Sequence, residues 1–448
     1  MTTAQATTSV EPNKIPWSQW RVIILSSLGG ALEFYDFVVY GMFAGYISRA
    51  FFPVSNPTAS VMLSWAVFAV GYFARPLGGI IFSHFGDRYG RRKVFIIAML
   101  LMSISTVCMG LLPPYASWGI ASSILMVSLR LMQGFCLGGE LPGAITYVTE
   151  TAPRTAGFAT GFIFFCVNTG VFIAAALALV VNLVMPESEI ARWGWRIGFL
   201  FGGLLGFVSF YLRLSLQETK EFQNLKHSAI SERPLADLLK TQPASVFVAI
   251  SSMVATAGFN GLLFASSTLL PAVGGYTGTE ASKFQNLCLL VLSAGLLTVA
   301  WLGDRVPRRY LLGGGAAVMT VFSLPFFQAL NEHTTGLMVL AVIAGLAASF
   351  INGPMCATAA DMFPTRIRFS GVAVSFNLAF SIFSGIAPLT ATALLAATGS
   401  KSSPGWYMSG CALLTLIGVF FHHRFDGRIL REQREKDQAL AAASFPAQ

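Results

Sequence analysis

The chain has 448 residues, 54% of them hydrophobic and only 11% charged, with a formal net charge of +9 and a mean hydropathy of +0.66. A water-soluble protein of this length needs far more charge, so composition excludes one and points to a chain solvated by lipid. The positive balance could suggest nucleic acid, but the placement of the charges along the chain argues against it.

Residues 1–19 are polar and lack a basic segment followed by a short apolar one, so no cleaved signal peptide is expected. Apolar runs of spanning length, about 17–25 residues, then follow one another. They cover 20–47, 59–83, 94–113, 118–147, 158–184, 194–216, 243–271, 283–302, 310–330, 336–360, 370–397 and 405–423. Helices are expected, because a lipid-exposed backbone must satisfy its own hydrogen bonds. Barrel strands would alternate polar and apolar residues, and these runs do not. The longest polar interruption, 217–242, reads as a cytoplasmic linker. The expectation is an all-α membrane protein of twelve transmembrane helices in two pseudo-symmetric six-helix bundles. Residues 20–216 form the first bundle, 243–423 the second, and 424–448 a cytoplasmic tail that ends as a short frayed helix.

Charge placement fixes the orientation. With both termini cytoplasmic, 21 of the 29 Lys and Arg residues fall inside, five fall in outside loops, and three (Arg75, Arg130 and Arg213) lie near or within spans. This is the bias of the positive-inside rule, and it accounts for the basic balance without nucleic acid. The six cysteines all sit in apolar runs without metal-ligand spacing, and read as packing residues. No phosphate-binding loop and no nucleophile triad occur, and the five histidines lie in or near loops and span ends. An ATP-driven pump, a membrane enzyme and a cofactor site are therefore not expected. A membrane nutrient receptor would carry a signalling domain, and no segment is long enough for one.

Two internal echoes imply repeated halves. The turn FSHFGDRYGRRKVF at 82–95 holds Asp87, Arg88, Gly90, Arg91, Arg92 and Lys93 between two apolar runs. LGDRVPRRYLL at 302–312 repeats it more weakly, with Asp304 and Arg305 following Asp87 and Arg88 at an offset of 217. After span four comes Glu150, Pro153, Arg154 and Gly157; after span ten comes Asp361, Pro364, Arg366 and Gly371. The charged turn is expected to gate transport by bridging helix ends in one state and parting in the other, with Glu150 and Arg154 as partners. The plainer reading is that its basic residues hold the loop inside.

Buried charges need a reason, since one at the bilayer centre costs about 2.5–3.5 kcal/mol on insertion scales. Glu33 and Asp36 share a face of span one with Tyr40 and are expected to look into a central cavity. There one of them would take up a proton; the alternative is a structural ion pair. Arg75 on span two would bind a substrate carboxylate or pair with a span-one acid, or else snorkel. Arg130 on span four shares its face with Gln133 and, farther on, Glu140. It would act in coupling or binding, or in an Arg–Glu packing network. Asn168, Asn260, Asn352 and Asn377 are isolated amides that could bind a polar substrate or tie helices together. Gly134, Gly138 and Gly139 read as sites of close helix approach.

These residues resemble the major facilitator superfamily over essentially the whole chain. Asp87, Arg88, Gly90, Arg91 and Arg92 match its loop signature, with Ser83 where a glycine is usual. LEFYDFVVYG (32–41), ARPLGG (74–79), RLMQGFCLGGE (130–140), WGWRIGF (193–199) and LSLQETKEF (214–222) resemble its metabolite:proton symporter branch. The resemblance implies alternating access, a role for Arg130 in proton coupling, and a small organic acid or zwitterion as substrate. KSSPGWY (401–407) and LSLQETKEF are most similar to the citrate and tricarballylate carriers. A proline or betaine symporter is the alternative, disfavoured because the tail lacks sustained heptads. The usual Asn-x-x-Glu-Trp of span one is Gly30-Ala-Leu-Glu33-Phe34 here, and span seven lacks the usual tyrosines. The expected setting is the bacterial inner membrane, with an organic acid, protons and the lipid bilayer as partners, no nucleic acid and no cofactor. The expected state is a monomer.

Overall fold

The computed structural model describes residues 17–53, 57–89, 91–214, 234–363 and 365–422. Twelve membrane-spanning helices account for nearly all of them. The first half holds Trp17–Met42 continued by Ala44–Phe51, Pro57–Tyr89, Arg91–Leu111, Ile120–Leu137 continued by Glu140–Thr151, Ala156–Val184 and Trp195–Leu214. The second holds Pro243–Phe264 continued by Ser266–Gly274, Gly278–Leu302, Arg308–Glu332, Leu337–Asp361, Thr365–Ala379 continued by Ala387–Thr398, and Ser403–His422. Among the described residues, nine stretches are long and apolar enough to cross a bilayer on their own, and Ile96–Leu111 is a shorter apolar helix. Part of the expected linker is a short helix, Pro234–Thr241. The tail and residues 215–233 lie outside the described residues.

Local chemistry sets the ends of several spans. Span eight opens on a capping box: the Thr277 hydroxyl accepts from the Glu280 amide at 3.2 Å, and the Glu280 carboxylate accepts from the Thr277 amide at 2.8 Å. Span seven closes on Gly275 at φ +71°, a left-handed position that glycine adopts without strain. Span eleven carries a π-helical turn at Phe380–Ser384, where an extra residue widens the helix and re-aims the side chains that follow.

Spans two and four approach backbone to backbone. A Cβ added at Gly134 would lie 1.7 Å from the Gly71 carbonyl oxygen, and one at Gly138 would lie 2.0 Å from that of Arg75. From the other side, a Cβ at Gly78 would lie 1.8 Å from the Phe135 carbonyl oxygen. Small residues are what lets membrane helices come this close. This contact sets Arg75 and Arg130 on neighbouring helices at the middle of the first half. Gly134→Leu is expected to remove folded protein from the membrane, because no side-chain movement can clear a backbone oxygen. Detergent extraction and size-exclusion profiles check this; a wild-type yield of monodisperse protein would refute it.

The halves meet along spans five and eight and along spans two, four and eleven. Trp20 of span one packs edge-on against Phe158 and Phe162 at the start of span five, beside Asp304. The start of span one and Asp304 thus lie at one end of the molecule. Among the described residues, the hydrogen bonds between halves fall from mid-bundle to that end. Asn377 donates to the Gly138 carbonyl at 2.7 Å, Ser381 to the Tyr72 carbonyl, and Ser384 to the Tyr72 hydroxyl at 3.3 Å. At the end itself, Gly157 and Phe158 donate to Asp304. The structure is closed at the Asp304 end.

Candidate substrate and proton sites

Arg75 is fully buried at mid-span, in the seam between the halves. Its guanidinium lies over four aromatic rings, with centroids at 5.7 Å for Phe34, 5.3 Å for Tyr72, 5.3 Å for Phe376 and 6.0 Å for Phe380. Phe34 and Tyr72 belong to the first half; Phe376 and Phe380 belong to span eleven of the second. None of its three nitrogens has a hydrogen-bond acceptor among the described residues. Ring faces attract the cation but cannot satisfy its N–H groups. A buried donor fork without an acceptor is costly, and its planar geometry fits a carboxylate.

Arg130, also fully buried, is more constrained. Its Nη1 donates to the Phe37 carbonyl at 2.9 Å and to Gln133 Oε1 at 2.8 Å. The guanidinium stands 4.4 Å from the Phe37 ring centroid and 4.5 Å from that of Tyr40. Its Nε and Nη2 have no partner among the described residues. Tyr72 packs against Phe37 and Phe68, so one aromatic cluster joins the two arginines. Tyr40 is itself buried there, its hydroxyl 3.2 Å from that of Ser64.

The two span-one acids diverge. Glu33 is buried, and its Oε2 has no partner among the described residues. Asp36 turns toward span six, where a Cβ added at Gly202 would lie 2.4 Å from its Oδ1 and one at Gly206 would lie 3.2 Å from its Oδ2. Among the described residues, neither Arg75 nor Arg130 has a carboxylate within 4.0 Å. The expected direct meeting of acid and arginine is therefore replaced by a chain of contacts. Arg130 reaches Gln133, and the Gln133 amide donates to Thr106 Oγ1 at 2.7 Å and to the Asp36 backbone carbonyl at 3.4 Å, while the Thr106 hydroxyl donates to the Met102 carbonyl at 3.0 Å. The cause is local: glycines at 202 and 206 leave room against span six for the carboxylate. Glu140 is buried at the start of the second segment of span four and makes no ion pair with Arg130.

The amides are scattered. Asn377 bridges the halves at Gly138. Asn352 donates to Ala348 of its own helix at 2.9 Å, and its oxygen has no partner among the described residues. The Asn168 Nδ2 is buried with no partner among the described residues, and Asn260 is buried in span seven. Sequence reading missed Phe376, Phe380, Ser381 and Ser384 of span eleven and Thr106 of span three. The spacing of Phe376 and Phe380 by four was a visible signal, but the π-turn that aims the two serines at Tyr72 was not.

At the closed end, Asp304 caps the start of span five. Its Oδ1 accepts from the Gly157 amide at 2.7 Å and its Oδ2 from the Phe158 amide at 2.9 Å, and Arg308 pairs with it at 3.3 Å. Free amides and the positive end of the helix dipole both favour a carboxylate there. Arg305 instead lies over the Trp301 ring at 3.5 Å, and Arg154 is exposed. The side chains of Asp87, Arg88, Arg91, Arg92 and Glu150, and all of Gly90, lie outside the described residues. A Cβ on Gly157 would lie 2.5 Å from Asp304 Oδ1. Gly157→Ala is therefore expected to open the Asp304 end, raising labelling of a cysteine placed at Thr160, which is buried in span five. Unchanged labelling would show that this contact does not hold the end closed.

The family model for "Sugar (and other) transporter" matches residues 22–233 and 223–436. The citrate-proton symporter of Klebsiella pneumoniae is 32% identical over 423 residues, covering 92% of this chain and 94% of the relative. The proline/betaine transporter of Salmonella typhimurium is 32% identical over 416 residues, covering 89% and 82%. Among solved structures, a D-xylose-proton symporter superposes with a TM-score of 0.71 at 19% identity, over 92% of this chain and 98% of that one. Twelve helices in two halves, an arginine buried at the seam and this set of relatives agree: the chain belongs to the sugar (and other) transporter family of the major facilitator superfamily, in its metabolite:proton symporter branch.

Proposed function

We propose that the protein imports a small organic acid together with protons across the bacterial inner membrane, by alternating access, with a di- or tricarboxylate such as citrate as the leading substrate. The observation that carries this reading is the Arg75 guanidinium, buried at the seam with no acceptor among the described residues. A substrate carboxylate at Arg75 would satisfy donors that the aromatic rings leave unmet. Because the rings come from both halves, opening the Asp304 end must pull Phe376 and Phe380 away from Arg75. The site is thus assembled in one state and dismantled in the other, which is how binding energy becomes linked to movement.

With both termini and the 217–242 linker inside, the Asp304 end is cytoplasmic and the structure is outward-facing. Asp304 and its counterpart Asp87 then act as the inner gate, with Arg88, Gly90, Arg91, Arg92, Glu150 and Arg154 in the first turn and Arg305 in the second. Asp36, whose backbone carbonyl is joined to Arg130 through Gln133, carries the coupling proton, with Glu33 as the second acid. Substrate contacts beyond Arg75 come from Tyr40, Gln133, Asn168 and Asn260.

The proline/betaine relatives support a second reading, a zwitterion symporter. Its carboxylate would use Arg75 in the same way. Thermal stabilisation of purified protein by citrate, tricarballylate, α-ketoglutarate, shikimate, proline and betaine separates the two. Stabilisation by citrate or tricarballylate and not by betaine or proline is expected; the reverse would select the zwitterion.

A further inference from the structure

A cavity of about 320 Å³ opens in the second half, away from Arg75. Its walls include Phe259 and Leu270 of span seven, Phe284 of span eight, Phe326 of span nine and Ala344 of span ten. Two backbone irregularities border it, one of them within a continuous helix. Span seven breaks at Ala265 between its two segments, and span nine contains Pro325, which cannot donate to the helix. The cavity backs onto the outer segment of span seven, Ser266–Gly274, at the end opposite Asp304.

Its rim shows what can enter. Val318, Phe322 and Ile343 line it and are 46%, 59% and 49% exposed. They stand on spans nine and ten, each long and apolar enough to cross the bilayer. Their exposed faces therefore meet hydrocarbon. Among the described residues, no charged side chain lines the cavity. Of its polar side chains, Ser323 bonds to the Met319 carbonyl of its own helix, and the Ser266 hydroxyl is buried with no partner among the described residues. Water needs two to four polar partners, and a carboxylate needs more. Neither fits a wall with one free hydroxyl.

We propose that this cavity is a lipid site, filled laterally by one acyl chain of a membrane phospholipid and wedged behind the outer segment of span seven. Hydrocarbon is equally apolar inside and outside, so the gain is the dispersion contact that an unfilled wall lacks. The volume lies within the range of small-molecule sites, about 300–1,000 Å³. The site is independent of which substrate is carried, and its test does not read transport.

The test uses the full chain in nanodiscs of phosphatidylethanolamine and phosphatidylglycerol, with a minor fraction of phosphatidylcholine bearing a diazirine midway along one chain. After irradiation, adducts are mapped by peptide mass spectrometry. Adducts on 266–273 and 322–326 are expected to exceed severalfold those on Phe420 and Phe421, which are exposed on span twelve. Ala344→Trp fills the cavity and should return wall labelling to the span-twelve level while the melting temperature holds; Ala347→Phe is the second filling variant. Wild-type wall labelling no greater than that of span twelve would overturn the proposal, whatever the variants do. So would undiminished labelling in a folded, filled variant.

Discussion

Arg75→Lys is expected to lower substrate affinity by about tenfold or more, and Arg75→Ala to abolish binding. The fork of Arg75 offers two parallel donors to a carboxylate, and lysine offers one point charge on a flexible stem. Losing one charge-assisted hydrogen bond costs about 1.5–3 kcal/mol, and about 1.4 kcal/mol corresponds to tenfold in affinity. The four-ring setting adds to the effect, because the flat guanidinium lies over rings that a lysine ammonium would meet less well. Calorimetric titration of the best stabilising acid into purified protein reads the affinity directly. Wild-type affinity in Arg75→Lys would show that no bidentate contact forms there.

Neutralising Asp36 is expected to separate exchange from accumulation. Asp36→Asn mimics the protonated state permanently, so substrate could still bind and internal substrate could still exchange for external. Uphill accumulation on a pH gradient should disappear, because no proton can be released inside. Glu33→Gln should behave the same way if the two acids titrate as a unit. Both are buried, where a charge is costly unless a partner stands near it, so each can answer to substrate or to a neighbouring helix. The measurement compares counterflow exchange with gradient-driven uptake in proteoliposomes. If both neutral variants still concentrate substrate, the acids are structural, and coupling must be sought around Arg130 and Glu140.

The spans were legible because hydropathy over some twenty residues is a strong signal and lipid permits almost nothing but helix. The repeat was legible because Asp304 returns where Asp87 stands in the sequence, and the structure shows what Asp304 does: it caps a helix of the other half. The glycines of span four were also readable as close-approach sites. The interior was harder. Helical spacing put Glu33 and Asp36 on one face, but could not say that Gly202 and Gly206 would open a space for Asp36 on the side of span six. Asn377 and Asn260 look alike in sequence, yet Asn377 is committed to the Gly138 carbonyl across the seam. The Ser381 and Ser384 contacts to Tyr72 fall in a π-turn at Phe380–Ser384, and one extra residue in a helix leaves no mark in an apolar run.

The central claim is that an organic acid moves with protons. Purified protein in liposomes, given an inward proton gradient and radiolabelled citrate or tricarballylate, tests it most directly. The account predicts internal substrate above the external concentration, collapse of that excess on adding a protonophore, and no excess in Arg75→Ala. Accumulation of betaine or proline with no movement of any acid, or acid uptake indifferent to the gradient, would contradict it.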